Sequence, residues 1–147
     1  MVLKFMSKIK YYFFIFLFFF SFENLAISKG NYFTEGEKLF NEKKFSKSKF
    51  KFEQDIVFNP KSEKSYLYLA KIFIHEENDD LQEQNLKTVL LLNPTNEEAL
   101  YLLTLLKIKK SDYNESNRLL KNFLKICKAL CEKETELSKK FNSLQTQ

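Results

Sequence analysis

The dipeptide Asn59-Pro60 returns as Asn93-Pro94, 34 residues further along the chain. Sliding the sequence by the same interval places small residues in register at Gly36, Ala70 and Thr104. It also aligns Tyr32, Tyr66 and Leu100; Phe52, Leu86 and Leu120; and Phe58, Leu92 and Ile126. Across two intervals Ser48 matches Ser116, and Phe45 matches Tyr113. So many matches in one register mark a chain assembled from copies of one supersecondary unit, each of which needs its neighbours to bury its apolar face.

The units read as helical. Within each, apolar residues recur at spacings of three and four, giving two amphipathic stretches per unit. Predicted helices cover 31–43, 46–58, 63–76, 80–92, 97–109 and 113–127, and a seventh, at 131–144, begins a fourth unit that does not complete. The residue before a proline is pushed out of the α region, so Asn-Pro ends the second helix of a unit. Thr95 with Glu98 fits a capping box for the helix that follows, and Ser62 fits an N-cap after Pro60. Gly36 and Ala70 let one helix approach its partner closely. Asp79 and Gln82 interrupt the pattern and predict an irregular start, around 76–81, for the second helix of the second unit. In the last helix Leu137 and Phe141 face back onto the array while Lys139, Lys140 and the glutamine-rich end face water, as the end of a solenoid requires. Two glycines and two prolines in 147 residues argue against a fold rich in tight turns.

On these residues the stretch 29–144 resembles the tetratricopeptide repeat (TPR) family. Tyr32, Gly36, Leu39, Phe45, Ser48, Phe52 and Pro60 fill most of the family pattern in the first unit. Tyr66, Leu69, Ala70, Phe73, Leu86 and Pro94 do so in the second, and Leu100, Leu103, Thr104, Tyr113, Ser116 and Leu120 in the third, which lacks the closing proline. Glu35, Asp55 and Lys107 depart from it, standing where the family prefers leucine, alanine and an aromatic. The resemblance implies an all-α fold: an α-α superhelix of about three TPR helix pairs, with repeats at 29–62, 63–96 and 97–130 and a capping helix at 131–144.

It also implies a concave side lined by the first helix of each pair. Projected onto this chain, the inner face carries Phe33, Glu37 and Phe40; Leu67, Lys71 and Ile74; and Tyr101, Leu105 and Ile108. Seven of these nine are apolar, and exposed apolar surface on that scale marks a docking site. A protein partner, as an extended segment or an amphipathic helix with apolar anchors, would fit such a groove. The same residues would equally be covered by the capping helix or by a second copy of the chain in a homodimer. Leu67→Glu and Tyr101→Glu are expected to abolish binding without unfolding the array. Some family members hold a C-terminal carboxylate in a Lys/Asn/Arg clamp; the corresponding positions here, Phe33, Glu37, Tyr68, Glu98 and Leu102, cannot form it.

The N-terminus has the order of an export signal: a basic stretch to Lys10, the apolar run Tyr11–Phe22, then Ala26 and Ser28 spaced for a signal peptidase. Cleavage after Ser28 is one reading, and retention as a membrane anchor, with bilayer contact through residues 9–27, is the other. Twelve apolar residues at about 1.5 Å each span about 18 Å, against a hydrocarbon core of about 30 Å. Either way the positive end stays inside, and the rest is expected in the periplasm or on the extracytoplasmic face of the membrane.

Little else suggests chemistry. The net charge of +5 is spread among acidic residues rather than gathered in a stripe, so no nucleic-acid partner is expected. His75 is the single histidine, which rules out a histidine-based triad within one chain. The acidic run 76–80 lacks the glycine turn and ligand spacing of a calcium loop, and a phosphate-cradling glycine loop cannot be built. No cofactor, metal or catalytic set is expected. Cys127 and Cys131 sit at the junction into the last helix, either as a disulfide that pins it, as an exported protein allows, or as two small core residues. The expected function is a non-catalytic interaction module of the cell envelope. A structural subunit packed permanently on an envelope complex is the alternative.

Overall fold

The computed structural model describes residues 31–145; the export signal, its cleavage point and the membrane contact at 9–27 lie outside them. Seven α-helices follow in order: α1 Tyr32–Asn41, α2 Phe45–Phe58, α3 Glu63–His75, α4 Asp79–Leu92, α5 Glu97–Lys109, α6 Tyr113–Ile126 and α7 Glu134–Gln145. No strand occurs among the described residues. Helices α1–α2, α3–α4 and α5–α6 pack as pairs, each pair lies on the next, and α7 packs on α5 and α6. The helix predicted at 131–144 divides into a 3-10 turn, Cys131–Lys133, and α7.

The small residues of the register explain why the pairs close. A methyl group at Gly36 would sit 2.8 Å from Phe52 Cε1, inside van der Waals contact. Ser48 donates its hydroxyl to the Gly36 carbonyl at 2.8 Å, which ties α2 to α1 at the same point. Ala70, Thr104, Ser48 and Ser116 are fully buried, as are Phe52 and Leu86. Phe52, Leu69, Ile72 and Phe73 form one apolar cluster across the first two pairs. A larger one runs from Ala70 and Leu86 through Leu103, Leu119 and Phe123 to Leu137 and Phe141 of α7.

The turns inside the pairs share a backbone device. Lys43, Glu77 and Ser111, spaced by the repeat interval, all adopt the left-handed region, with φ of 58°, 53° and 55°. The next amides, of Lys44, Asn78 and Asp112, return to Leu39, Phe73 and Lys107 carbonyls at 2.9 Å each, the Schellman ending of a helix. Asn78 and Asp112 then cap the following helix, accepting from the Leu81 and Glu115 amides at 3.1 and 3.2 Å. Lys44, in the same position, has no acceptor to offer. The irregular start expected around 76–81 is therefore absent: the Asn78 cap starts α4 cleanly, and Gln82 is simply buried in place of a small residue.

Between pairs the caps also differ from expectation. Asn96 caps α5, accepting from the Ala99 amide at 2.8 Å. The Thr95 hydroxyl is drawn to Asn93 Oδ1 at 2.9 Å, so the Thr95–Glu98 box does not form. Ser62 holds the N-cap position of α3, but its hydroxyl pairs with Ser65 rather than with the backbone. Glu63 and Glu97, one interval apart, act as axial clasps. Glu63 accepts from the Asn93 and Asn96 side chains of the next inter-pair turn. Glu97 accepts from the Ala129 and Leu130 amides, at 3.0 and 2.8 Å, and so fixes the chain leading into α7. In that segment Cys127 and Cys131 are joined as a disulfide with Cα atoms 5.2 Å apart. Helix α6 ends at Ile126, so the two cysteines do not share a regular helix and their side chains can converge.

Lys107, where the family prefers an aromatic, is buried and reaches Glu83 on α4 at 2.7 Å. Lys87 and Lys110 also pair with Glu83, at 2.7 and 3.1 Å. Hydrogen bonds from Lys107 and Lys87 hold the Glu83 carboxyl down at about 2, against burial that would raise it. Because the folded value lies below the unfolded one, this stabilisation is complete above about pH 4.5 and is lost as pH falls towards 2. Acid titration of the full chain in mild detergent, followed by circular dichroism, should show Glu83→Gln losing part of the wild-type stability change in that window. The rest belongs to Glu42, Glu97, Glu115 and Glu136, whose carboxyls are also held below their ordinary value. A further expectation concerns the missing cap: Lys44→Asp should raise the urea midpoint by an amount worth about 1 kcal/mol, since a carboxylate there can accept from the α2 amides.

Candidate partner-binding groove

Helices α1, α3, α5 and α7 form one layer, joined by three polar bridges from unit to unit. Tyr68 on α3 donates to Glu37 Oε1 on α1 at 2.8 Å. Lys71 on α3 pairs with Glu98 Oε1 on α5 at 2.7 Å, and its ammonium lies 4.9 Å from the centre of the Tyr68 ring. Tyr101 on α5 donates to Glu136 Oε2 on α7 at 2.9 Å. Burial first, and then the carboxylate each one faces, push both phenols up to about 12. They remain neutral hydrogen-bond donors throughout the physiological range.

The first half of this layer is aromatic and largely covers itself. Phe33 meets Phe52 and Tyr68, each at 5.8 Å between centroids. Phe40 packs edge-on against Phe45 and Tyr68, and His75 stacks on Phe45 at 4.3 Å. The second half holds an apolar cleft. Between the second and third units Ile74, Leu102, Leu105 and Leu106 line a cleft of ≈ 250 Å³, bounded by Glu77, Asp79, Gln82 and Lys109. Of these polar groups Asp79 and Lys109 pair with each other at 2.7 Å.

The nine projected residues thus do not form one uniform surface. Leu67 is buried, with 8% of its surface exposed, and belongs to the larger apolar cluster. Leu67→Glu would therefore unbalance the core, and it does not serve as a surface probe. Tyr101 is half-buried and tied to Glu136, and Ile108 packs against the same cluster. Glu37 and Lys71 are engaged in the inter-unit bridges. Ile74, 39% exposed, and Leu105 share the cleft. Sequence projection omitted Leu106, Lys109 and Glu136, and placed Tyr68, Glu98 and Leu102 only at the clamp positions, not among the nine groove residues. Their positions depend on the rotation of α5 and α7 against α3, for which a helical period alone carries no signal.

Among the described residues no group of three or more histidine, cysteine, aspartate or glutamate side chains is placed to hold a metal ion. No described helix is long and apolar enough to cross a membrane. Neither protein-family models nor curated protein sequences match the chain. Solved structures do match in fold. The first TPR of Spaghetti (RPAP3), solved with an HSP90 peptide, SRMEEVD, aligns with a TM-score of 0.69 at 15% identity, covering 78% of this chain and 90% of that one. The TPR2B domain of yeast Sti1, in complex with pHsp70, gives 0.68 at 10% identity over 82% of this chain and 98% of that one. The Sgt2 TPR domain of Aspergillus fumigatus gives 0.67 at 13% identity over 81% and 82%. The chain has a TPR-like fold.

Proposed function

We propose that this protein is a non-catalytic interaction module, exported to the cell envelope, that docks a segment of a partner protein on its inner helical layer. The observation that carries this reading is the apolar cleft between α3 and α5. A solenoid end needs no such opening, and the cap helix α7, packed on α5 and α6, does not close it. The RPAP3 and Sti1 domains, similar in fold, were solved with an HSP90 peptide and in complex with pHsp70. Here the ligand differs, because the clamp positions carry Phe33, Glu37, Tyr68, Glu98 and Leu102 and so supply no cation for a terminal carboxylate. The groove takes apolar anchors instead.

Export is supported by the basic and apolar order of residues 1–28 and agrees with a disulfide at Cys127–Cys131, which persists in oxidising compartments. The domain boundaries proposed are a signal or anchor at 1–28 and the repeat domain at 29–147. The mass of the protein recovered from the envelope tests the cleavage: loss of residues 1–28 is expected, and an intact N-terminus would establish the anchor.

A second reading, a permanent structural subunit or a homodimer, rests on the outer helices. Val57 and Leu91, one repeat interval apart, are 72% and 82% exposed, with Phe50 and Phe58 beside Val57 on α2. Affinity purification of the tagged chain from detergent-solubilised envelope separates the two. Exchangeable, substoichiometric partners lost about tenfold or more with Ile74→Glu or Leu105→Glu support groove docking. A stoichiometric, salt-resistant complex that ignores those changes but dissociates with Val57→Glu and Leu91→Glu supports the subunit. Far-ultraviolet circular dichroism is expected to be unchanged in the Ile74 and Leu105 variants.

A further inference from the structure

The cleft at the second-to-third unit junction also indicates what kind of segment would fill it. Its floor is four aliphatic side chains, and its volume of ≈ 250 Å³ accommodates one large apolar anchor. The charges on its rim are not balanced. Asp79 and Lys109 neutralise one another, and Gln82 is uncharged and buried. Glu77 is left exposed and makes no ion pair among the described residues. Its position is fixed: it holds the left-handed residue of the α3–α4 turn, with its amide bonded to the Ile74 carbonyl at 3.2 Å. A side chain seated in the cleft would displace water from this rim and so strengthen a charge pair formed there.

We infer, building on the groove reading above, that the partner segment places a large apolar residue in this cleft and carries a lysine or arginine within about four positions of it, paired with Glu77. Charge complementarity decides for a basic flank, since an acidic one would leave two carboxylates facing each other at the rim. The equivalent left-handed position in the first unit is Lys43, with φ of 58°. A lysine is therefore compatible with the backbone at Glu77, and charge reversal there need not disturb the fold.

The test is selection of a phage-displayed random dodecapeptide library on the full chain in mild detergent, run in parallel on wild type, Glu77→Lys and Ile74→Glu. Enrichment of peptides with a large apolar residue and a nearby Lys or Arg is expected on wild type, with Asp or Glu replacing the base on Glu77→Lys and no enrichment on Ile74→Glu. In fluorescence anisotropy, a synthetic peptide from the wild-type selection should bind Glu77→Lys about threefold more weakly, the effect of one exposed ion pair. Apolar enrichment with no basic preference, or a preference that Glu77→Lys leaves unchanged, overturns this inference while leaving groove docking intact. Absence of enrichment on wild type overturns both. A wild-type dimer that Ile74→Glu converts to monomer would show that a second copy fills the cleft, and would also overturn the inference.

Discussion

The close approach of two helices at one small residue per unit is the constraint from which the array follows. At Gly36 the α1 backbone lies directly against the Phe52 ring, with no room for a methyl group. Phe52 in turn clusters with Leu69, Ile72 and Phe73 of the next unit, so one side chain closes its own pair and binds its neighbour. Ala70 and Thr104 hold the same register position and are fully buried. A pair closed this tightly leaves its first helix in the inner layer and its second outside, and the inner layer is where the cleft opens. Because each unit buries its face only against adjacent units, stability spreads along the array by nearest-neighbour contacts rather than from a single centre.

Where the chain departs from apolar repeat positions, polar partners replace the lost contacts. Lys107 is buried but answered by Glu83, which also gathers Lys87 and Lys110. Asp55, in place of alanine, accepts from the Ser65 hydroxyl, itself linked to Ser62. Removing one partner from such a set leaves a desolvated group behind, which costs more than the pair contributes when intact. The third unit's missing proline is compensated differently. Glu97 holds the Ala129 and Leu130 amides, and the Cys127–Cys131 bridge closes the same segment, so the turn is fixed without Asn-Pro.

Helix number and order, and the burial of Gly36, Ala70, Phe52 and Leu86, were legible because they rest on a periodicity that needs no three-dimensional information. The turn residues were not. Lys43, Glu77 and Ser111 adopt left-handed backbone without being glycine or asparagine, and only their shared spacing betrays them. Capping chemistry was read one residue early at Thr95, because Asn93 competes for that hydroxyl and leaves Asn96 to the helix. Of the residues projected onto the candidate groove, Ile74 and Leu105 line the cleft whereas Leu67 is buried, since the tilt between successive pairs decides which side of a helix faces outward. The disulfide depended on where α6 ends, and the spacing of two cysteines does not specify that.

A double-mutant cycle at Gly36 and Phe52 shows whether this close approach organises the array. Gly36→Ala alone should destabilise the full chain by about 1–3 kcal/mol through overpacking, read from urea unfolding in mild detergent. Combined with Phe52→Leu, which removes the opposing ring, the loss should be smaller than the sum of the two by about 1 kcal/mol or more. Additivity within about 0.5 kcal/mol would show that the two positions do not meet. In that case the close approach would not organise the array, and the inner layer built on it would be wrong.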